Sequence, residues 1–199
     1  IPVLQITSSM DIGEHPGCNR GNLYILSNAD SVRMYKNDRF IKEYRPEMSP
    51  YKHLKHGPIL IDDFIGDALE KNERFRPKHA KEMADAMNIV ARGSLNHIPK
   101  RLYPTALKLV LLYHIDFAEV TKLYTKYIGD WGGTATVYRF DAIKDGKVIK
   151  SVTKEPVNGI RLQAEADHTN LTEHHSYDVA LVRIRAVDAH GNVLPFYQE

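Results

Sequence analysis

The sequence has little of several features that define whole classes of protein. Its 199 residues include a single cysteine, Cys18, which excludes an intrachain disulfide framework and fits a reducing compartment. No apolar run is long enough to span a bilayer, and the first residues lack the basic and then apolar pattern of a signal peptide. We therefore expect no membrane partner and favour a cytoplasmic location.

The sequence also lacks a large excess of charge of either sign. The chain has 27 basic and 25 acidic residues, a formal net charge of +2, and the basic residues are scattered along it. Because nucleic-acid binding usually needs a clustered basic face, we do not expect nucleic acid as a partner. The content of 43% hydrophobic and 26% charged residues is that of an ordinary globular protein. Its length suffices for one domain and part of another.

The first 45 residues have the pattern of β-strands. Residues 23–26 form a short apolar run rich in β-forming side chains. Residues 31–35 and 40–44 flank a polar turn that contains Asn37 and Asp38, two residue types that tolerate positive φ. This pattern predicts an antiparallel hairpin.

From about residue 65 to 130 the pattern becomes helical. Pro77 is suited to a first helical position and Gly93 to a helix end. Between them an apolar stripe recurs at helical spacing, at Ala80, Met83, Ala84, Met87 and Val90.

Two further helices are expected in the same region. Residues 106–112, after Pro104, are apolar nearly all round, which predicts a buried central helix. Asp116 and Glu119 have the spacing of a capping box and predict the start of a third helix. The three helices are expected to bury one another's apolar stripes.

Strand patterns return after the helices. Residues 134–140 and 148–152 flank a turn at 144–147, residues 160–165 begin a further strand, and 177–188 is expected to be the longest strand. Its predicted apolar face consists of Ala180, Val182, Ile184 and Ala186.

The expected fold class is mainly β with an α insertion (α+β). Residues 1–155 would form an immunoglobulin-like β-sandwich with a three-helix insert at about 65–130. Residues 156–199 would supply the first strands of a second, truncated sandwich, since a complete one needs about seven strands. As the chain starts at Ile1 rather than Met, we expect a segment cut from a longer protein.

Three segments resemble a known family. Ser27-Asn-Ala-Asp-Ser-Val-Arg-Met-Tyr-Lys-Asn37 is similar to the SN-x-D-x-V-x-L-x-x-NG pattern of the C-terminal immunoglobulin-like domains of glycoside hydrolase family 2, the bacterial β-galactosidase and β-glucuronidase family, with Asp38 where the family usually has Gly. Residues 179–195 resemble the strand-turn-strand of the following domain, and residues 56–64 the apolar strand after the hairpin. The helical insert departs from the common plan and suggests a β-galactosidase-like subgroup.

The resemblance implies a non-catalytic accessory region. The enzymes of this family hydrolyse glycosides with retention of the anomeric configuration. They use two glutamates on a β/α barrel, whose carboxyl groups lie about 5–5.5 Å apart. Nothing in this sequence resembles that catalytic segment or a barrel of about 250 residues, and Glu155-Pro156 looks like a linker. We expect no catalytic residue in this fragment. Its expected partner is the remainder of the parent chain, with oligomer contacts or a loop lent to the substrate cleft as further roles.

The alternative function is an independent carbohydrate-binding module. Trp131, the single tryptophan, lies in the glycine-rich segment 129–133 and would stack on a sugar; the competing interpretation has it fill the seam between helices and sandwich. A polar stretch has side chains of the types that bind zinc or calcium, but their spacing matches no standard metal site, so we expect a solvated loop. The residues are Glu165, Asp167, His168, Glu173, His174 and His175. We therefore expect no metal and no cofactor.

Overall fold

The computed structural model describes residues 1–10, 20–93, 100, 103–104, 117–129, 136–195 and 197. The chain divides into two compact units, Ile1–Pro156 and Val157–Glu199. Within the described ranges, no helix is long and apolar enough to cross a membrane.

The first unit is a mixture of strands and helices. Its described strands are β1 (Leu4–Ile6), β2 (Tyr24–Ser27), β3 (Ser31–Lys36), β4 (Arg39–Tyr44), β5 (Ile59–Leu60), β6 (Tyr138–Lys144) and β7 (Lys147–Lys154). Its described helices are a 3₁₀-helix (Pro46–Met48), α1 (Ala68–Glu73), α2 (Pro77–Arg92), α3 (Phe117–Tyr124) and a π-helical segment (Thr125–Gly129).

The strands of this unit form two antiparallel sheets. One has the order β1-β2-β5 and the other the order β4-β3-β6-β7. Strand β3 pairs on one side with β4, placing Val32 opposite Tyr44, and on the other side with β6, placing Val32 opposite Ala142. In the chain, α1, α2, α3 and the π-helical segment lie between β5 and β6, and the 3₁₀-helix lies between β4 and β5. The coarse prediction, antiparallel sheets combined with α-helices, is confirmed.

Both predicted hairpins of this unit are present, and each has a turn of matching chemistry. Asn37 and Asp38 join β3 to β4 with φ of 49° and 60°, and Asp145 and Gly146 join β6 to β7 with φ of 50° and 74°. Two successive residues with positive φ give a turn whose twist suits the flanking strands. β6 begins at Tyr138 rather than at residue 134, and residues 134–135 lie outside the described part.

The first predicted helix is confirmed at both ends. α2 begins at Pro77 and ends at Arg92, and the amide of Gly93 donates a hydrogen bond to the Ile89 carbonyl. Four of the five residues of its predicted apolar stripe are buried, Ala80, Met83, Ala84 and Met87, whereas Val90 is only partly buried. The predicted central helix at 106–112 and the capping residue Asp116 lie outside the described residues, whereas α3 covers the start of the third predicted helix.

One hydrophobic core joins the two sheets to the helices. Its largest fully buried side chains come from strands, loops and helices alike, and include Tyr44, Phe64, Met83, Ile128 and Phe140. Burying large side chains from all these elements together is what holds the helices against the sheets.

The second unit contains one described hairpin. β8 (Arg161–Ala166) and β9 (Val182–Val187) pair antiparallel over six residues each. The prediction that residues 177–188 form the longest strand is wrong, because β7 has eight residues. Side-chain oxygens of Asp167 and Asp178 accept hydrogen bonds from the amides of Leu181 and Val179, so these amides are taken by side chains before the regular ladder starts.

Candidate functional site

A pocket of about 360 Å³ lies in the first unit, where the start of β4 meets α1 and α2. Its volume is near the lower end of the range of about 300–1,000 Å³ typical of small-ligand sites. Its lining includes Phe40, Asp63, Gly66, Asp67, Glu70 and Lys81.

The floor of the pocket is a loop that α2 holds in place. Asp63 Oδ1 accepts hydrogen bonds from the amides of Ile65 and Gly66 and from Asn88 Nδ2, each at 2.9 Å. Asn88, buried on α2, also accepts a hydrogen bond from the Phe64 amide at 3.0 Å through its Oδ1. One buried amide side chain therefore fixes the loop from both sides.

Gly66 is required at the end of this loop. Its φ is +60°, and a Cβ placed there would come within 3.1 Å of the Ile41 carbonyl oxygen. A side chain would therefore strain the backbone and push against β4. Glycine therefore allows the loop to lie close to β4, whose Ile41 also lines the pocket.

The charge of Asp67 is matched by two basic side chains. Arg39 Nη2 lies 2.6 Å from Asp67 Oδ1, and Lys71 Nζ lies 2.5 Å from Asp67 Oδ2. The hydrogen bond from Lys71, with that from Arg39, holds the pKa of the Asp67 carboxyl below its ordinary value. Asp67 is thus ionised, and each of its two carboxylate oxygens is already paired with a basic side chain.

Two opposite charges in the lining are open to solvent. Glu70 on α1 and Lys81 on α2 are exposed, and among the residues that the structure describes neither forms a salt bridge. The positive charge of Lys81 also acts on Asp85 one turn along α2, where it opposes the rise in pKa that desolvation causes. The pocket therefore presents these two charges beside the carboxylates of Asp63 and Asp67.

An aromatic ring forms part of the pocket wall. Phe40 is 48% exposed, and its ring meets that of Tyr35 edge-on, with centroids 5.8 Å apart. The guanidinium of Arg139 covers Tyr35 at 4.4 Å from its ring centroid, so the supporting ring is itself held. Sequence reasoning missed this site. The available signal was the pair Phe40-Ile41, two adjacent apolar residues in a strand, of which only one can face the core.

The substrate-binding residue predicted from the sequence, Trp131, lies outside the described residues and stays a prediction. The polar stretch at 165–175 is described. His168 Nδ1 contacts Asp167 Oδ1 at 2.8 Å, and His168 Nε2 lies 3.7 Å from Asp178 Oδ1. Within the described ranges, no group of three histidine, cysteine, aspartate or glutamate side chains is placed to hold a metal ion.

A second surface feature lies in the second unit. The pairing of β8 with β9 places Leu162, Ala164 and Ala166 on the same side as their partners Ala186, Ile184 and Val182. We call these six residues the apolar hairpin face. Leu162, Val182 and Ile184 are 72%, 52% and 67% exposed.

The other side of the same hairpin is largely polar. It carries Arg161, Gln163, Glu165, Arg183 and Arg185, and Arg185 lies 4.0 Å from Glu165. One apolar and one polar side is the pattern of a sheet that packs on one face only. A two-stranded sheet is marginal by itself and needs such packing for stability.

Comparison with known proteins assigns no family to this chain. A scan against protein-family models found no match, and a search of curated proteins found none. The function proposed below is therefore supported by the sequence motifs, the pocket and the apolar hairpin face.

Proposed function

We propose that the chain is a non-catalytic accessory region of a family 2 glycoside hydrolase, of the β-galactosidase-like kind, which packs against the remainder of a longer polypeptide. The observation that carries this proposal is the apolar hairpin face. Fully burying a large aliphatic side chain stabilises by about 1.5–3 kcal/mol, so covering the exposed fractions of Leu162, Val182 and Ile184 would contribute about 3–6 kcal/mol. An exposed apolar surface whose burial would stabilise by that amount is typical of a protein–protein interface.

The positions of the family-like motifs support the immunoglobulin-like identity. The first motif spans the end of β2, all of β3 and the turn at Asn37. The second includes β9 and the turn at Gly191, after which Val193 forms a bridge back to Val187. Each motif therefore coincides with a strand and turn of the kind that the resemblance implies. The inserted helices, between β5 and β6, would be the subgroup's departure from the common plan.

The environment of the buried carboxylates supports a non-catalytic role. Among the described residues, the buried carboxylates are Asp141 and Asp188. Asp141 accepts hydrogen bonds from Ser151 and Arg139. Desolvation raises the pKa of Asp188, but hydrogen bonds from Asn192 and from the turn backbone outweigh it, so the pKa is lowered. A general acid needs a carboxyl whose pKa is raised, whereas the pKa of Asp188 is lowered.

The direct experiment is an activity assay of the isolated chain on a chromogenic β-galactoside. The expected result is no hydrolysis above the uncatalysed rate. Measurable turnover that a single Glu→Gln substitution abolishes would contradict the proposal, because it would place a catalytic carboxylate in this chain.

A further inference from the structure

We propose that Asn158 is a site of spontaneous covalent modification, at which attack by the Gly159 amide nitrogen converts the asparagine into aspartate and isoaspartate. The two residues lie between β7, which ends at Lys154, and β8, which begins at Arg161. The reaction needs this chain and water alone, so the proposal does not rest on the accessory role proposed above.

Asn158 has a neighbour that no other asparagine of this chain has. It is the one asparagine in the sequence that is followed by glycine. The attacking atom is the backbone nitrogen of the following residue, and a side chain on that residue crowds its approach to the asparagine Cγ. Glycine has no Cβ and the widest choice of φ and ψ, so the Gly159 nitrogen can reach Cγ with the least hindrance.

The structure leaves both reacting groups free to meet. Asn158 and Gly159 are exposed and belong to no helix or strand. Within the described part of the chain, no hydrogen bond holds the Asn158 side chain or the Gly159 amide. A Cβ built on Gly159 would meet no atom within 4 Å. The side chain can therefore fold back onto the next amide without breaking a contact, which keeps the cost of the reactive geometry low.

The one Asp-Gly pair of the sequence, Asp145-Gly146, is held in a fixed conformation instead. It forms the turn between β6 and β7, with φ of 50° and 74°. The Asp145 amide donates a hydrogen bond to Asp30 Oδ2 at 2.9 Å, and Lys144 pairs with Lys147 across the turn. Rotating this backbone to bring a side-chain carbon onto the Gly146 nitrogen would disrupt the end of the hairpin. The structure therefore opposes at residue 145 the ring closure that it permits at residue 158.

The steps balance with water as the co-reactant. The Gly159 nitrogen forms a bond to Asn158 Cγ, and the bond from Cγ to the side-chain nitrogen breaks. Ammonia leaves with the proton of the Gly159 amide, and a cyclic imide remains. Water that opens the imide at the side-chain carbonyl gives aspartate, and water that opens it at the backbone carbonyl gives isoaspartate, whose main chain is longer by a methylene. Either product carries a carboxylate that is ionised at neutral pH, just ahead of β8.

The test is incubation of the full chain at body temperature and neutral pH, followed by peptide mass spectrometry of samples taken over time. Replacement of the side-chain NH₂ by OH is read from the peptide mass, and chromatography separates aspartate from isoaspartate. Asn170 is the internal control, since it is also exposed but is followed by Leu171. Both products are expected at Asn158, with Asn170 at least about fivefold slower, because the next residue has a side chain.

Three exposed substitutions separate the effect of the neighbour from that of the backbone. Gly159→Ala should slow the reaction of Asn158 at least about fivefold, and Leu171→Gly should speed that of Asn170 by a similar factor. Asp145→Asn puts the reactive pair into the fixed turn, where its reaction should be at least about fivefold slower than that of Asn158 in the same molecule. Surface changes of this kind leave the fold intact, which circular dichroism checks.

Three results would overturn the proposal. The first is that Asn158 in the folded chain reacts at less than about a fifth of its rate in a synthetic peptide of residues 153–163, which would mean that the fold protects it. The second is that Asn170 reacts as fast as Asn158. The third is that the pair in the Asp145→Asn variant reacts as fast as Asn158, which would show that the open backbone at residue 158 plays no part.

Discussion

Replacing Asn88 by alanine removes the one side chain that holds the pocket floor from both sides. In the native chain Asn88 Nδ2 donates to Asp63 at 2.9 Å, and Asn88 Oδ1 accepts from the Phe64 amide at 3.0 Å. Alanine can make neither bond. It leaves the Phe64 amide without this acceptor, beside a ring that is fully buried.

The magnitude follows from these two losses. A hydrogen bond to a charged acceptor contributes about 1.5–3 kcal/mol, and a buried donor without a partner costs about 1–3 kcal/mol. We expect the free energy of unfolding of the first unit to fall by about 3–5 kcal/mol. For a chain of this length each kcal/mol lowers Tm by about 2–4 °C, so the expected drop in Tm is about 10 °C.

The assay is thermal and urea unfolding followed by circular dichroism at the helix band, with Asn72→Ala as the control. Asn72 is an exposed amide on α1 that accepts a hydrogen bond from Arg39 and donates one to Tyr127, both at the surface. Its removal should change the free energy of unfolding by no more than about 1 kcal/mol. If Asn88→Ala costs less than about 1 kcal/mol, or no more than the control, the assigned role of Asn88 is wrong.

Three further predictions concern other parts of the chain. The hydrogen bond from Lys126, at 2.7 Å, holds the pKa of the Glu73 carboxyl below its ordinary value of 4.5, so its stabilisation is present above that pH and is lost as the pH falls through the lowered pKa. Glu73→Gln should therefore cost about 0.5–1 kcal/mol at pH 7 and close to nothing at pH 2; equal costs in thermal melts at both pH values would refute this. Phe140→Ala, at a fully buried position, should cost about 3–5 kcal/mol in urea unfolding, and a cost under about 1 kcal/mol would show that β6 is not central to the core. Ile184→Lys should reduce binding of a hydrophobic dye by the isolated chain while changing stability by under about 0.5 kcal/mol; unchanged dye binding would mean that the apolar hairpin face is not the exposed surface.

Features that depend on neighbouring residues could be predicted from the sequence. The two hairpins of the first unit follow from short polar turns whose residues adopt positive φ, at Asn37-Asp38 and at Asp145-Gly146. Helix α2 follows from Pro77, Gly93 and a regular apolar stripe between them. In each case the controlling chemistry lies within the element itself.

Features that depend on distant residues could not be predicted in this way. β3 pairs with β6, which places Ser31 opposite Ile143 across more than a hundred residues of chain. The pocket joins residues of β4, α1 and α2, and no local pattern brings Phe40, Glu70 and Lys81 together. The strand expected at 177–188 begins only at Val182, and the Leu181 amide just before it donates to Asp167, which lies 14 residues away in the chain.

The central claim is that this chain is an accessory part of a larger sugar-cleaving enzyme, and the coding sequence on either side of its 199 codons tests that claim most directly. The account predicts that the same reading frame encodes, upstream of Ile1, a β/α barrel of about 250 residues bearing two glutamates for retaining hydrolysis. A reading frame that opens directly before Ile1 and encodes no barrel would contradict it.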